Sequence, residues 1–158
     1  MILEKIKANF GQAVLETHSF RGDDTALVSR EKIFELAKFL KEDPELDFNI
    51  LMDLTAVDYL KMEKPYRYEV VYHFFSLAKK HRVRIKVPLT EENPSVATLT
   101  SLWPIANWFE REVWDMFGIR FEGHPNLKRI MMYEEFVGHP LRKDYPVRKR
   151  QPLIGPKN

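Results

Sequence analysis

Ile2, Leu3, Ile6 and Phe10 recur at helical spacing, and Gly11 stops the helix they predict. Residues 13–18 and 25–28 read as two short strands, with Arg21-Gly22-Asp23-Asp24 as the turn between them. Ser29 is placed to cap a helix that buries Ile33, Leu36, Ala37 and Leu40 and ends before Pro44. Residues 48–57 alternate: Phe48, Ile50, Met52, Leu54 and Ala56 point one way, Asn49, Asp53 and Thr55 the other. Residues 68–77 are apolar on both faces, as in a strand held inside a sheet. Val83, Ile85, Val87 and Leu89 alternate with Arg82, Arg84 and Lys86, and residues 78–81 form the hairpin connection. Asn93 and Pro94 predict a helix to about Leu102. Pro104 opens another, which runs to Phe117 and stops at Gly118.

The order α-β-β-α-β-β-β-α-α predicts an α+β fold of two layers, with amphipathic helices on one face of a sheet. Beyond Gly118 the periodicity fails. From Ile119 onward there are nine Lys/Arg against four Asp/Glu, half of the ten prolines and two Gly-His-Pro triplets. The rest of the chain carries sixteen Lys/Arg against nineteen Asp/Glu. The expected division is therefore a globular domain at 1–118 and an extended basic arm at 119–158. That arm is expected to dock on partners and to be largely mobile in the free chain.

On a helical wheel Ile105, Trp108, Phe109, Val113 and Met116 form one stripe, with Glu112 in its middle. An unpaired buried carboxylate costs several kcal/mol. The expectation is that Glu112 bonds a cation returning from the arm: Lys128, Arg129 or Arg142, an arginine being favoured for its planar fork. Trp114 falls on the polar face beside Asn107, Glu110 and Arg111, which predicts an exposed interface anchor.

Candidate chemistry is sparse. The absence of cysteine excludes disulfides, thiolate metal sites and cysteine nucleophiles in this chain. His124 and His139 lack metal-ligand spacing and read as turn imidazoles that cap backbone groups or meet a partner. Glu110, Glu112 and Asp115 do not converge on a helix, and Arg111 with Asp115 suits a surface ion pair. No nucleotide fingerprint or nucleophile elbow occurs. Arg142, Lys143, Arg148, Lys149 and Arg150 have the charge to bind nucleic acid or anionic lipid. Pro140, Tyr145, Pro146, Pro152 and Leu153 interrupt that cluster and favour a protein groove. Residues 1–20 lack the pattern of a signal peptide, and no run approaches the roughly 18 to 20 apolar residues of a membrane span. Any membrane association is expected to be peripheral.

One long gapped pattern is specific: E-R-E, an acid, two apolar residues, then His, Lys and apolar positions. Glu110, Arg111, Glu112, Asp115, Met116, Phe117, His124, Lys128, Ile130 and Met131 meet it. It continues as G-H-P-L-R-K-D-Y-P from Gly138 to Pro146. On these residues the chain resembles the 30-kDa subunit family of respiratory complex I, the C subunits of NADH-quinone oxidoreductase. The resemblance implies a chain with no cofactor, no metal and no catalytic residue of its own. It implies a place in the hydrophilic arm of a proton-translocating complex, against the 49-kDa (D) subunit and near the B subunit. There it would support the electron path of an assembly that uses NADH, FMN, iron–sulfur clusters and quinone. Its location would be peripheral, on the cytoplasmic face of a bacterial inner membrane or the matrix side of the mitochondrial one. The implied motif and interface residues are Glu110, Arg111, Glu112, Trp114, Asp115, Phe117, Gly118, His124, Pro125, Lys128 and Arg129, then Gly138, His139, Pro140, Arg142, Lys143, Asp144, Tyr145 and Pro146. The homologous subunit of a membrane-bound hydrogenase or formate-hydrogen lyase shares this module. A free-standing basic RNA-binding domain is the alternative of another class.

Overall fold

In the computed structural model, which describes residues 1–155, a five-stranded sheet carries helices on one face. The strands are β1 (Val14–Phe20), β2 (Asp23–Val28), β3 (Ile50–Asp58), β4 (Tyr68–Ser76) and β5 (His81–Leu89). They lie in the order β1-β2-β5-β4-β3, with β2 and β5 parallel and the other neighbours antiparallel. The helices are α1 (Ile2–Phe10), α2 (Ile33–Glu42) and α3 (Ala106–Phe117). The alternation in β5 sets its register as expected: Val83, Ile85, Val87 and Leu89 are buried while Arg84 and Lys86 take the open face. Tyr72, Phe74, Leu54, Ala26 and Val28 continue that core, closed by Ile33, Leu36, Ala37 and Leu40 of α2.

Two elements differ from expectation. Met52 is a bulge: Leu51 pairs with Phe74 and Asp53 with His73, so Met52 has no opposite residue. The extra residue flips the alternation. Leu51, Leu54 and Ala56 are buried, whereas Ile50 and Met52, assigned inward by strict alternation, are exposed. The helix expected at 93–102 is absent. Ser95–Ala97 instead forms strand β6, parallel to β7 (Arg120–Glu122). Val96, Thr98 and Thr100 are β-branched and suit extended backbone. The Ser95 hydroxyl bonds Asn93 and Glu122, which fixes the pairing. Ile119 and Phe121 are buried in the main core, so packing continues past residue 118. The last three residues of the 119–158 segment lie outside the described residues.

Candidate protein interface

α3 is rotated from the expected wheel by roughly 80°, at about 100° per residue. Its core face is Ala106, Glu110, Val113, Met116 and Phe117, while Asp115 is buried on the opposite side beneath the returning segment 129–139. Ile105 and Trp108, assigned to the buried stripe, are exposed. Glu112 is exposed as well, so the bond expected between it and a returning cation does not exist. The apolar count misled because two carboxylates are buried on different sides of the helix, Glu110 toward Thr98 and Leu99 and Asp115 beneath residues 129–139, each bonded by the chain itself.

Glu110 has no accessible surface. Its Oε1 accepts the Leu99 N–H at 2.7 Å and its Oε2 accepts the Thr98 hydroxyl at 2.5 Å. Burial pushes this carboxyl up to about 7, and the two hydrogen bonds only partly counter that. His124 Nε2 stands 3.9 Å from Oε2. The His124 Nδ1 accepts the Asn126 N–H at 3.0 Å, which leaves the proton on Nε2 to be donated to the Asn107 carbonyl at 3.2 Å. Burial holds this imidazole below its ordinary range, so it caps backbone groups, as expected of a turn histidine. Pro125 follows it, exposed.

Asp115 is the centre of the second site and is also fully buried. Its Oδ2 accepts three successive N–H groups, from Ile130 at 3.0 Å, Met131 at 2.8 Å and Met132 at 2.9 Å. Its Oδ1 accepts from Arg129 Nη1 at 2.5 Å. Burial raises this carboxyl, but these donors outweigh it and hold the group below the usual carboxylate range. Arg129 also donates to the Phe136 and Gly138 carbonyls and lies over the rings of Trp114 and Phe136. A cation does return from the tail to α3, but to Asp115. Arg111 makes no pair with Asp115; it donates to the carbonyls of Lys128 at 3.0 Å and Arg129 at 2.9 Å. Lys128 itself is exposed.

The segment after Phe136 closes over the end of α3. The His139 Nδ1 bonds the Asp115 carbonyl at 2.9 Å, the Leu141 N–H donates to the Met116 carbonyl, and Arg142 Nε donates to Phe117 O at 2.6 Å. This approach requires Gly118, which has φ 77°; a Cβ there would lie 2.6 Å from Arg142 and 2.7 Å from the His139 ring. Gly138 is similar, with a Cβ position 2.9 Å from the Tyr145 ring. Pro140 is half-buried in the same turn. Trp114 is consequently half-covered, 6.2 Å from the His139 ring, and is not the exposed anchor expected from the wheel.

A third buried carboxylate, Asp58 at the end of β3, fastens the tail to the sheet. It receives Arg67 through both oxygens at 3.2 Å and the Lys143 N–H at 2.8 Å. Burial raises Asp58, and these donors bring it below the usual range. Arg67 also pairs with Asp144 at 2.9 Å and with Glu91. Asp58, Arg67 and Thr98 escaped sequence reasoning: Asp58 and Arg67 are nine residues apart, but their further partners Lys143 and Glu91 are 85 and 24 residues away, and the partner of Thr98 is 12 away. Tyr145 and Pro146 then lead outward. Gln151 brings the tail back, donating to the Val137 carbonyl and the Tyr145 hydroxyl. Val147 and Leu153 are fully exposed beside Arg148, Lys149 and Arg150.

Among the described residues no three His, Asp or Glu side chains are placed to hold one metal ion, and no helix is long and apolar enough to cross a membrane. The buried acids are each consumed by structural donors. What remains outside is surface: the exposed Trp108 on α3 and the exposed basic residues Arg148, Lys149 and Arg150 of the tail.

The family model described as respiratory-chain NADH dehydrogenase, 30 Kd subunit, matches residues 26–151. The C subunit of the NADH-quinone oxidoreductase of Roseiflexus sp. (strain RS-1) is 51% identical over 146 residues, which is 92% of this chain and 83% of that protein. The same subunit of the Citrifermentans bemidjiense enzyme is 48% identical over 153 residues, 96% of this chain and 92% of that protein. A solved structure described as Nqo5 of the trypsin-resistant fragment (1-134) has TM-score 0.71 at 35% identity, covering 80% of this chain and 96% of that one. A chain of the membrane-bound sulfane sulfur reductase, an archaeal respiratory membrane complex, has TM-score 0.74 at 24% identity, covering 92% and 84%.

Proposed function

Since the chain belongs to the respiratory-chain NADH dehydrogenase 30 Kd subunit family, we propose that it is the non-catalytic, cofactor-free subunit of the hydrophilic arm of a proton-translocating NADH-quinone oxidoreductase. It docks on the 49-kDa subunit near the B subunit and helps hold the path from NADH to quinone. Its place is peripheral, on the cytoplasmic face of a bacterial inner membrane. The observation that carries the reading is the use made of the buried acids. Asp58 and Asp115 are locked by arginine and backbone N–H groups, and Glu110 by a hydroxyl and an N–H. Such groups position segments of chain and, being buried, present no accessible surface to a substrate.

The likeness to the sulfane sulfur reductase chain concerns fold alone, so the fold does not choose between respiratory assemblies. Relatives 44–51% identical over nearly the whole chain favour the NADH-quinone enzyme. Within the expected 119–158 arm, residues 146–155 support this reading: they are basic, carry Pro146 and Pro152, and leave Val147 and Leu153 exposed among the described residues.

The test is co-purification of the 49-kDa subunit with tagged full-length chain and with a chain ending at Tyr145. Retention by the first and loss by the second, with unchanged turnover per assembled complex for the buried-acid variants, is the expected result. Normal assembly of Glu110→Gln without electron transfer would overturn the non-catalytic role.

A further inference from the structure

Trp108 is the most exposed apolar side chain of α3, at 56%, with Ile105 exposed one turn before it. The Arg111 guanidinium lies 5.3 Å over its indole. Arg111 is not a loose side chain, because its Nε and Nη2 are fixed by the carbonyls of Lys128 and Arg129. It has no carboxylate partner among the described residues, and its Nη1 makes no hydrogen bond there. The helix is itself anchored from within by Glu110 and Asp115.

Tryptophan and arginine are the residues that most often dominate binding energy at interfaces. Rigid side chains lose little conformational entropy on association. Here Arg111 lies over the indole, and Trp108 and Ile105 both remain exposed. A cation fixed on one side and lacking its anion calls for an anion from outside.

We infer that Ile105, Trp108 and Arg111 form a preorganised anchor for the 49-kDa subunit, which supplies an apolar pocket for the indole and a carboxylate at its rim for Arg111. This inference rests on the proposed function and names a contact separate from the tail. A membrane surface fits less well, since the patch offers one fixed arginine and not the four to eight cations such surfaces select.

Binding of the purified 49-kDa subunit to wild type, Trp108→Ala and Ile105→Asp tests it, with thermal unfolding of each free chain as the control for folding. Trp108→Ala is expected to weaken binding about 30-fold or more, with unfolding unchanged because the residue is exposed. In the wild type labelled with 5-fluorotryptophan, the Trp108 resonance should shift on binding. Undiminished affinity of both variants alongside an unmoved Trp108 resonance would overturn the anchor. Absence of binding by the wild type would overturn the proposed partner and the anchor with it.

Discussion

Glu110→Gln should make the protein more stable at alkaline pH, although it removes a charge from a fully buried, hydrogen-bonded position. The glutamate accepts one N–H and one hydroxyl. The nearest cation candidate, His124, is held below its ordinary range by burial, and its Nδ1 accepts the Asn126 N–H. The carboxyl is thereby raised from 4.5 to about 7. A raised carboxyl binds its proton more tightly in the folded state than in the unfolded one. Stability is therefore full below pH 4.5 and declines as pH rises through about 7, where the cost levels off. At about 1.4 kcal/mol per pH unit, the loss is roughly 3 kcal/mol by pH 8. Glutamine keeps the shape, accepts the Leu99 N–H and has no proton to lose. Urea unfolding of both proteins from pH 4.5 to 8 measures the difference. The glutamine variant should gain on wild type progressively across that window, by roughly 2 to 3 kcal/mol in total. A difference independent of pH would mean that Glu110 is ionised throughout and that the burial argument fails.

Asp115→Asn should cost about 3 kcal/mol, because it strands Arg129 among carbonyls; chemical denaturation reads this directly. The Asp115 carboxyl is held low, so its contribution is present above its ordinary pKa of 3.8 and is lost on acidification below that. The acid limb of the stability profile should flatten in Asp115→Asn. Gly118→Ala should destabilise by about 2 kcal/mol or more, since it adds a Cβ at φ 77° against Arg142 and His139; a lowered midpoint of thermal unfolding would show it. Limited trypsin digestion of the free chain should cut first at Arg148, Lys149 and Arg150, with Arg129 protected by its bonds; early cleavage at Arg129 would sink the view that the tail is fixed as far as Tyr145.

The strands and first two helices were legible because their apolar residues follow one period. β5 shows this best, with four apolar residues alternating strictly. Met52 broke the rule invisibly, since a bulge inserts one residue without changing composition. The helix expected at 93–102 failed because Asn93-Pro94 is a good local start, while the partner strand β7 lies beyond α3. The phase of α3 was wrong for a related reason. Glu110 and Asp115 look like surface residues until Leu99, Thr98 and residues 129–132 are seen to converge on them. The idea that an arginine from the tail ties back to a buried helix acid was correct in kind. It was assigned to Glu112, which faces water.

The parallel pairing of β2 with β5 sets a sequence of events in folding. Asp24 sits opposite Val83 and Leu27 opposite Lys86, so the β1–β2 hairpin waits for the middle of the chain before it gains a neighbour. Pairings of this kind raise contact order and slow folding. The β3–β4–β5 meander has only local connections and can form first. The tail comes last, because its holds on Asp58 and on the end of α3 exist only once both are in place. During synthesis the carboxyl end also leaves the ribosome last. A chain that has not completed its sheet therefore has no platform on which to set Lys143 and Arg142, and the placement of the tail becomes a mark of the maturation of the body.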